Sequence, residues 1–184
     1  AKSILNVWAD FLPKKWSTKQ NDMNLFWSLN KSIPIQNIKR VLMIQPFGIG
    51  DALFMTPAIR ALNEKGIHRI DLLLGSRTKE IFETNLNVGE IYVWDRDKKK
   101  DSSWKFKRAW KLVQLFAKIF RSRYDIVFDF TPTGQYSFLS FALFWIPIRI
   151  GFNFKNAGYF LTHKVDLPNG YCDKAMVEYY LDLI

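Results

Sequence analysis

Asp51 is the residue of this chain best placed to do chemistry. It follows two glycines in Pro46-Phe47-Gly48-Ile49-Gly50-Asp51. Glycines at such a point leave backbone N–H groups uncovered, so an anion or a crowded polar ligand can come close to the chain beside the acid. A carboxylate there can take a proton from an attacking hydroxyl. It can equally cap a helix by accepting bonds from first-turn N–H groups, and position alone leaves both roles open. Gly48, Ile49 and Gly50 are the accompanying ligand-binding candidates. A second polar loop, Thr131-Pro132-Thr133-Gly134-Gln135, adds Thr131, Thr133, Gly134 and Gln135. A third set, Lys107, Lys111, Lys118 and Arg121, recurs at helical spacing and offers an anion-contacting face.

Several other chemistries are excluded. One cysteine, Cys172, forbids an intrachain disulfide, and with only His68 and His163 beside it a Cys/His metal site is not expected. Both histidines read as structural or surface residues. The thiol reads as a small packed side chain, which fits a reducing, cytoplasmic setting. A dinucleotide fingerprint needs a third small residue where Leu53 stands, and an acid at the end of the second strand, where the chain has Leu74-Gly75. No Gly-x-x-x-x-Gly-Lys-Ser/Thr run occurs. A nicotinamide cofactor and an ordinary P-loop are therefore both disfavoured, and no cofactor or metal is expected.

The elements that must hold these residues alternate. Residues 40–45, Arg-Val-Leu-Met-Ile-Gln, form a short apolar run ending in the glycine loop, the pattern of a strand buried on both faces. Residues 51–65 carry Ala52, Met55, Ile59 and Leu62 at helical spacing with Gly66 as a stop. Pro57 is tolerable there only in the first turns. Strands are then predicted at 70–74, 90–94, 125–130 and 148–152, and helices at 76–84, 103–121, 133–145 and 173–183, with residues 159–165 irregular or extended. Strands separated by helices imply right-handed crossovers and a parallel sheet with helices on both faces, a Rossmann-like α/β domain.

With 184 residues, the chain suits one domain plus an extension. The domain is assigned to residues 38–184. Residues 1–37 set Trp8, Phe11, Trp16, Phe26 and Trp27 among Asn, Lys and Ser, and read as an amphipathic, aromatic-rich extension. Its aromatics are expected to pack on the domain or on a neighbour, the other reading being membrane-surface docking. The chain opens Ala1-Lys2-Ser3 with no apolar run suited to a signal peptide. Residues 138–148 are too short a run to span a bilayer, which takes about 20 residues. Net charge is +10, and residues 96–123 hold seven Lys and four Arg against Asp97 and Asp101. On the helix within that segment, Phe106, Trp110, Val113, Phe116 or Ala117, and Phe120 form an apolar stripe expected to face the sheet. The basic face is then a solvated surface, a contact for anionic lipid or a phosphorylated lipid acceptor, or a nucleic-acid surface. The last ranks lowest, since no nucleic-acid-binding motif accompanies it.

The run from Arg40 to Asp51, an apolar stretch, Thr56-Pro57-Ala58 and Ile59-Arg60-Ala61-Leu62 together resemble the opening of the heptosyltransferase-like glycosyltransferases of family 9. The likeness continues through Ile70-Asp71-Leu72-Leu73-Leu74, Tyr124-Asp125-Ile126-Val127-Phe128-Asp129 and Arg149-Ile150-Gly151-Phe152, in the family's order. What the resemblance implies is one half of a two-domain GT-B enzyme, the amino-terminal, acceptor-side half, with the donor-binding half lying beyond Ile184. A chain that stops inside its last helix fits a truncation. The resemblance further implies an inverting transfer of a sugar, heptose by family majority, from a nucleotide-diphosphate sugar to a glycan or glycolipid such as lipopolysaccharide core. In that transfer Asp51 is the general base, and this piece alone is inactive. The family often has a basic residue at the second loop, and Thr131-Pro132-Thr133-Gly134-Gln135 has none. A cytoplasmic enzyme, peripheral on the inner face of the membrane, is the corresponding localisation. The competing reading is a non-catalytic Rossmann-like module that binds anionic lipid or a partner protein.

Overall fold

The computed structural model describes residues 38–94, 102–131, 143–155 and 158–184, with the side chains of 102–108 set aside; all lie within the compact unit Ile33–Ile184. The expected extension at 1–37 and the expected helix at 133–145, apart from a turn at its last three residues, fall outside this set.

Six strands form one sheet: β1 (Arg40–Gln45), β2 (Arg69–Leu74), β3 (Ile91–Val93), β4 (Ile126–Asp129), β5 (Ile148–Asn153) and β6 (His163–Asp166). Their order is β3-β2-β1-β4-β5-β6 and every pairing is parallel. Five of them stand where the apolar runs predict. β6 is a paired edge strand, where the sequence suggests only an irregular or extended piece; its burial alternates and its residues are half-polar, so it lacks the continuous apolar run of a central strand.

Between the strands run α1 (Ile49–Leu53), α2 (Thr56–Glu64), α3 (Ser76–Phe82) and α4 (Ser102–Ser122), and α5 (Met176–Leu181) closes the chain. The single helix expected over 51–65 is two. Pro57 has no N–H to return to the carbonyl of Leu53, so α1 ends on Phe54 and α2 restarts with the proline in its first turn. Gly66 does end α2: with φ of 87° it turns left-handed, and the N–H groups of Gly66 and Ile67 close onto Asn63 and Leu62 at 2.9 and 3.0 Å. The last helix is shorter than expected, starting at Met176 instead of 173.

Alternate residues of each strand feed two cores. Val41, Met43, Leu72, Leu74 and Phe128 pack with Ala52, Met55, Ile59 and Leu62 from α1 and α2 and with Tyr179, Tyr180 and Leu183 at the chain's end. Leu42, Ile44, Leu73 and Val127 pack on the opposite face with Ile119, Leu115 and Phe116 of α4. Helices therefore cover both faces of the parallel sheet, as expected. A buried polar network seals the second layer: Asp71 accepts from the Tyr124 hydroxyl at 2.6 Å and the Glu90 N–H at 2.7 Å, and Tyr124 also meets the Tyr92 hydroxyl at 3.0 Å. Asp71 is thus a packed acid inside β2, unavailable to a ribose.

One expectation is met only in part. The stripe of α4 that faces the sheet runs through Leu115, Phe116 and Ile119, so Phe116 packs inward as expected, while Trp110, Val113 and Phe120 face outward. Both rows have helical spacing and lie side by side, so periodicity alone cannot choose between them. Ile119→Ala should accordingly lower the unfolding free energy by about 2–4 kcal/mol, whereas Val113→Ala should change it by less than about 0.5 kcal/mol. Urea unfolding of the two variants checks the assignment.

Candidate active site

In the order β3-β2-β1-β4-β5-β6 the chain leaves β1 towards one side of the sheet and β4 towards the other. The loops after these strands diverge, and a crevice opens between them at the carboxyl edge, where open α/β sheets bind ligands. The glycine loop after β1 and the start of the polar loop after β4 therefore meet at one place. Of the second loop, Thr131 is described, while Thr133, Gly134 and Gln135 lie outside the described residues.

Gly48, Ile49 and Gly50 are exposed at the crevice. Gly48 has φ of −68° and ψ of 168°, ordinary extended backbone, and neither it nor Gly50 has positive φ. A Cβ built on Gly50 would meet nothing within 4 Å, and one on Gly48 would meet only Asp51 Oδ2, at 3.7 Å. Gly151 in β5 is the contrast, since its Cβ would lie 2.8 Å from the Asp129 carbonyl oxygen. Neither conformation nor packing within the described residues asks for glycine at 48 or 50, although glycine weakens a helix by about 1 kcal/mol relative to alanine.

Asp51 stands in the first turn of α1, half-buried, where its charge favours the amino end of the helix; the N-cap residue itself is Gly48, which has no side chain to cap with. Thr131 is buried, and its N–H and hydroxyl both donate to Asp129 Oδ1, at 2.9 and 2.5 Å. It shapes the loop leaving β4, and its hydroxyl proton is already committed.

Residues that the sequence did not single out line the floor. Gln45, fully buried at the end of β1, donates through Nε2 to the Tyr180 hydroxyl at 2.5 Å and to the Phe130 carbonyl at 3.2 Å. Its Oε1 and the Tyr171 hydroxyl have no hydrogen-bond partner among the described residues. Burial, then the Asp51 carboxylate, drives the Tyr180 phenol well above its ordinary range; burial, then Tyr180, Asp129 and Asp51, does the same for Tyr171. Both phenols thus stay neutral beside two carboxylates. Gln45 was legible only as the polar end of an apolar strand. Tyr180 reaches the site on the last helix and Tyr171 from the loop before it, about which the first strand says nothing.

The cationic set shares one side of α4, as its spacing requires, but its members are not equally free. Lys118 forms an ion pair with Glu90 and lies over the Tyr92 ring, 5.5 Å from its centroid. Lys111 and Arg121 are exposed, and the side chain of Lys107 is outside the described set. All are on α4. Among the described residues no group of His, Cys, Asp and Glu could hold a metal ion.

No protein-family model matches the sequence, and no curated protein is similar to it. Solved structures are similar in fold. A glycosyl transferase of family 9 from Veillonella parvula superposes with a TM-score of 0.61 at 19% identity, over 79% of this chain and 40% of that one. The fold is that of one half of a family 9 glycosyltransferase. ADP-heptose lipopolysaccharide heptosyltransferase II of Escherichia coli gives 0.60 at 18% identity, over 78% and 39%. E. coli heptosyltransferase WaaC with ADP-2-deoxy-2-fluoro heptose gives 0.55 at 19%, over 78% and 46%. This chain thus spans less than half the length of these glycosyltransferases.

Two outcomes follow for this half. Gly50→Ala should leave stability unchanged or raise it by up to about 1 kcal/mol, read by thermal melting. Because Tyr124, Tyr171 and Tyr180 are all held above the ordinary tyrosine pKa of about 10, the unfolded chain ionises first as pH rises. Their contribution is complete below pH about 10 and is lost above it, so the urea midpoint should fall between pH 8 and pH 11 and recover in part in Tyr124→Phe.

Proposed function

We propose that this chain is the acceptor-side half of an inverting glycosyltransferase. It uses a nucleotide-diphosphate sugar, with heptose the first candidate, and a glycan or glycolipid acceptor of the lipopolysaccharide-core kind. The observation that carries the reading is the pair of glycines at 48 and 50, which nothing inside the described fold requires and which stand over open space next to Asp51. A molecule that approaches the backbone there accounts for both.

The chemistry then falls to Asp51. The acceptor hydroxyl sits against the glycine loop, and Asp51 takes its proton as the oxygen attacks the anomeric carbon. The carbon–oxygen bond to the nucleoside diphosphate breaks on the opposite face, which inverts the centre. Asp51 suits this role better than Asp129, whose Oδ1 already accepts two bonds from Thr131. Removal of that proton in the transition state contributes typically 10²–10⁴-fold. Ile49, Leu53 and Phe54, exposed beside the loop, suit the apolar face of a sugar ring or of a facing donor half.

Under the competing reading, a non-catalytic Rossmann-like module, Asp51 serves only the first turn of α1. A panel of ADP-, UDP-, GDP- and dTDP-sugars, tested by thermal shift on this chain and on the protein extended past Ile184, should stabilise only the extended protein. In the extended protein Asp51→Asn should lower turnover by about 10²-fold or more with its melting temperature unchanged. Equal turnover in Asp51→Asn, or no donor response in either form, favours the module.

A further inference from the structure

Helix α4 has two apolar rows and buries one. Trp110, Val113 and Phe120, spaced three, four and three residues apart with Ala117 between them, are 58%, 58% and 59% exposed. Phe144, from the turn before β5, is 70% exposed and extends the same surface. Its ring is 5.8 Å from that of Trp145, which is 5.5 Å from Phe120. Isolated exposed apolar residues are ordinary, but a contiguous aromatic patch is not. Its border is cationic: Lys111 and Arg121 are exposed along one flank. The segment 102–124 carries seven Lys and Arg and no acid.

We propose that this face of α4 docks the protein on an anionic lipid bilayer, with Trp110, Phe120 and Phe144 entering the headgroup boundary and Lys111 and Arg121 meeting the headgroups. An apolar row beside a cationic row, with tryptophan and phenylalanine at its centre, is the composition of a helix that lies in the interface plane. Two other occupants fit less well. A second copy, paired through the same face, sets one acid-free cationic flank against another. A nucleic acid satisfies the cations but leaves the aromatic row uncovered. Among the described residues no helix is long and apolar enough to cross a membrane, so the contact is made from one side. α4 runs back across the sheet from the end of β3 to the start of β4. Lying flat, it holds the strands roughly along the membrane, and the crevice at their carboxyl edge opens sideways over the lipid. This last consequence, unlike the docking, rests on the glycosyltransferase reading, where it brings a membrane-anchored acceptor to Asp51.

Flotation of the purified chain tests the docking, with vesicles of phosphatidylcholine alone and of phosphatidylcholine mixed with phosphatidylglycerol. The wild type should float with the mixed vesicles, not with the neutral ones, and release as salt is added. Trp110→Ser with Phe120→Ser, and separately Lys111→Gln with Arg121→Gln, should each reduce the bound fraction by on the order of tenfold. The charge pair decides alone if the aromatic pair melts below the wild type. No flotation of the wild type, or equal flotation of all three proteins, overturns the proposal. A dimer in light scattering that the aromatic pair dissolves, without flotation, assigns the face to a second copy instead. None of these positions touches the crevice, so the donor response of the extended protein stays unchanged whichever way flotation falls.

Discussion

The structure depends on β1 being hydrogen-bonded in parallel on both sides, to β2 along its whole length and to β4 over Val41–Ile44. A strand so placed must be apolar on both faces, and Val41, Leu42, Met43 and Ile44 are completely buried. It must also end where its two neighbours send their chains apart. The position of the crevice, the exposure of the glycine loop and the meeting of residues from distant parts of the sequence all descend from that pairing. Gln45, the last residue of β1, shows the transition within one side chain: its backbone still pairs with Leu74, while its amide reaches the Phe130 carbonyl and the Tyr180 hydroxyl.

Because strands buried on both faces read as unbroken apolar runs, β1, β2, β4 and β5 were legible in the sequence to within a residue or so. The glycine loop was legible with them, since it must follow such a run. What was not legible depends on comparing neighbours that only folding creates. β6 pairs through its backbone while its side chains are half polar. Which of the two apolar rows of α4 meets the sheet is not encoded in its spacing, and the row with Trp110 and Phe120 is the one left outside. Tyr171 and Tyr180 join the crevice from more than a hundred residues beyond β1, one from the loop before α5 and one from α5 itself, and no local spacing encodes that.

Two kinds of buried polar group coexist in the sheet and divide its ends. Near the amino edge Asp71, Tyr124 and Tyr92 are joined in a network that extends to Glu90 and Ser122, although Arg40 Nε there has no partner among the described residues. At the carboxyl edge Gln45 Oε1 and the Tyr171 hydroxyl have no partner among the described residues. Arg149 follows the first pattern: buried, with its guanidinium donating to the carbonyls of Phe160, Phe144 and Ile146, it ties the turn before β5 to the loop after it.

The glycines at 48, 50, 66 and 151 answer to different masters. Gly66 holds a left-handed turn and Gly151 yields to the Asp129 backbone, so any lineage that keeps the fold keeps them. Gly48 and Gly50 carry no such obligation. In a population selected for solubility alone, Gly50 is free to drift towards alanine and Gly48, at the N-cap of α1, towards serine, each gaining stability. Their retention in a lineage is then a record of work done at the crevice, readable by counting which of the four survives once that work is no longer required.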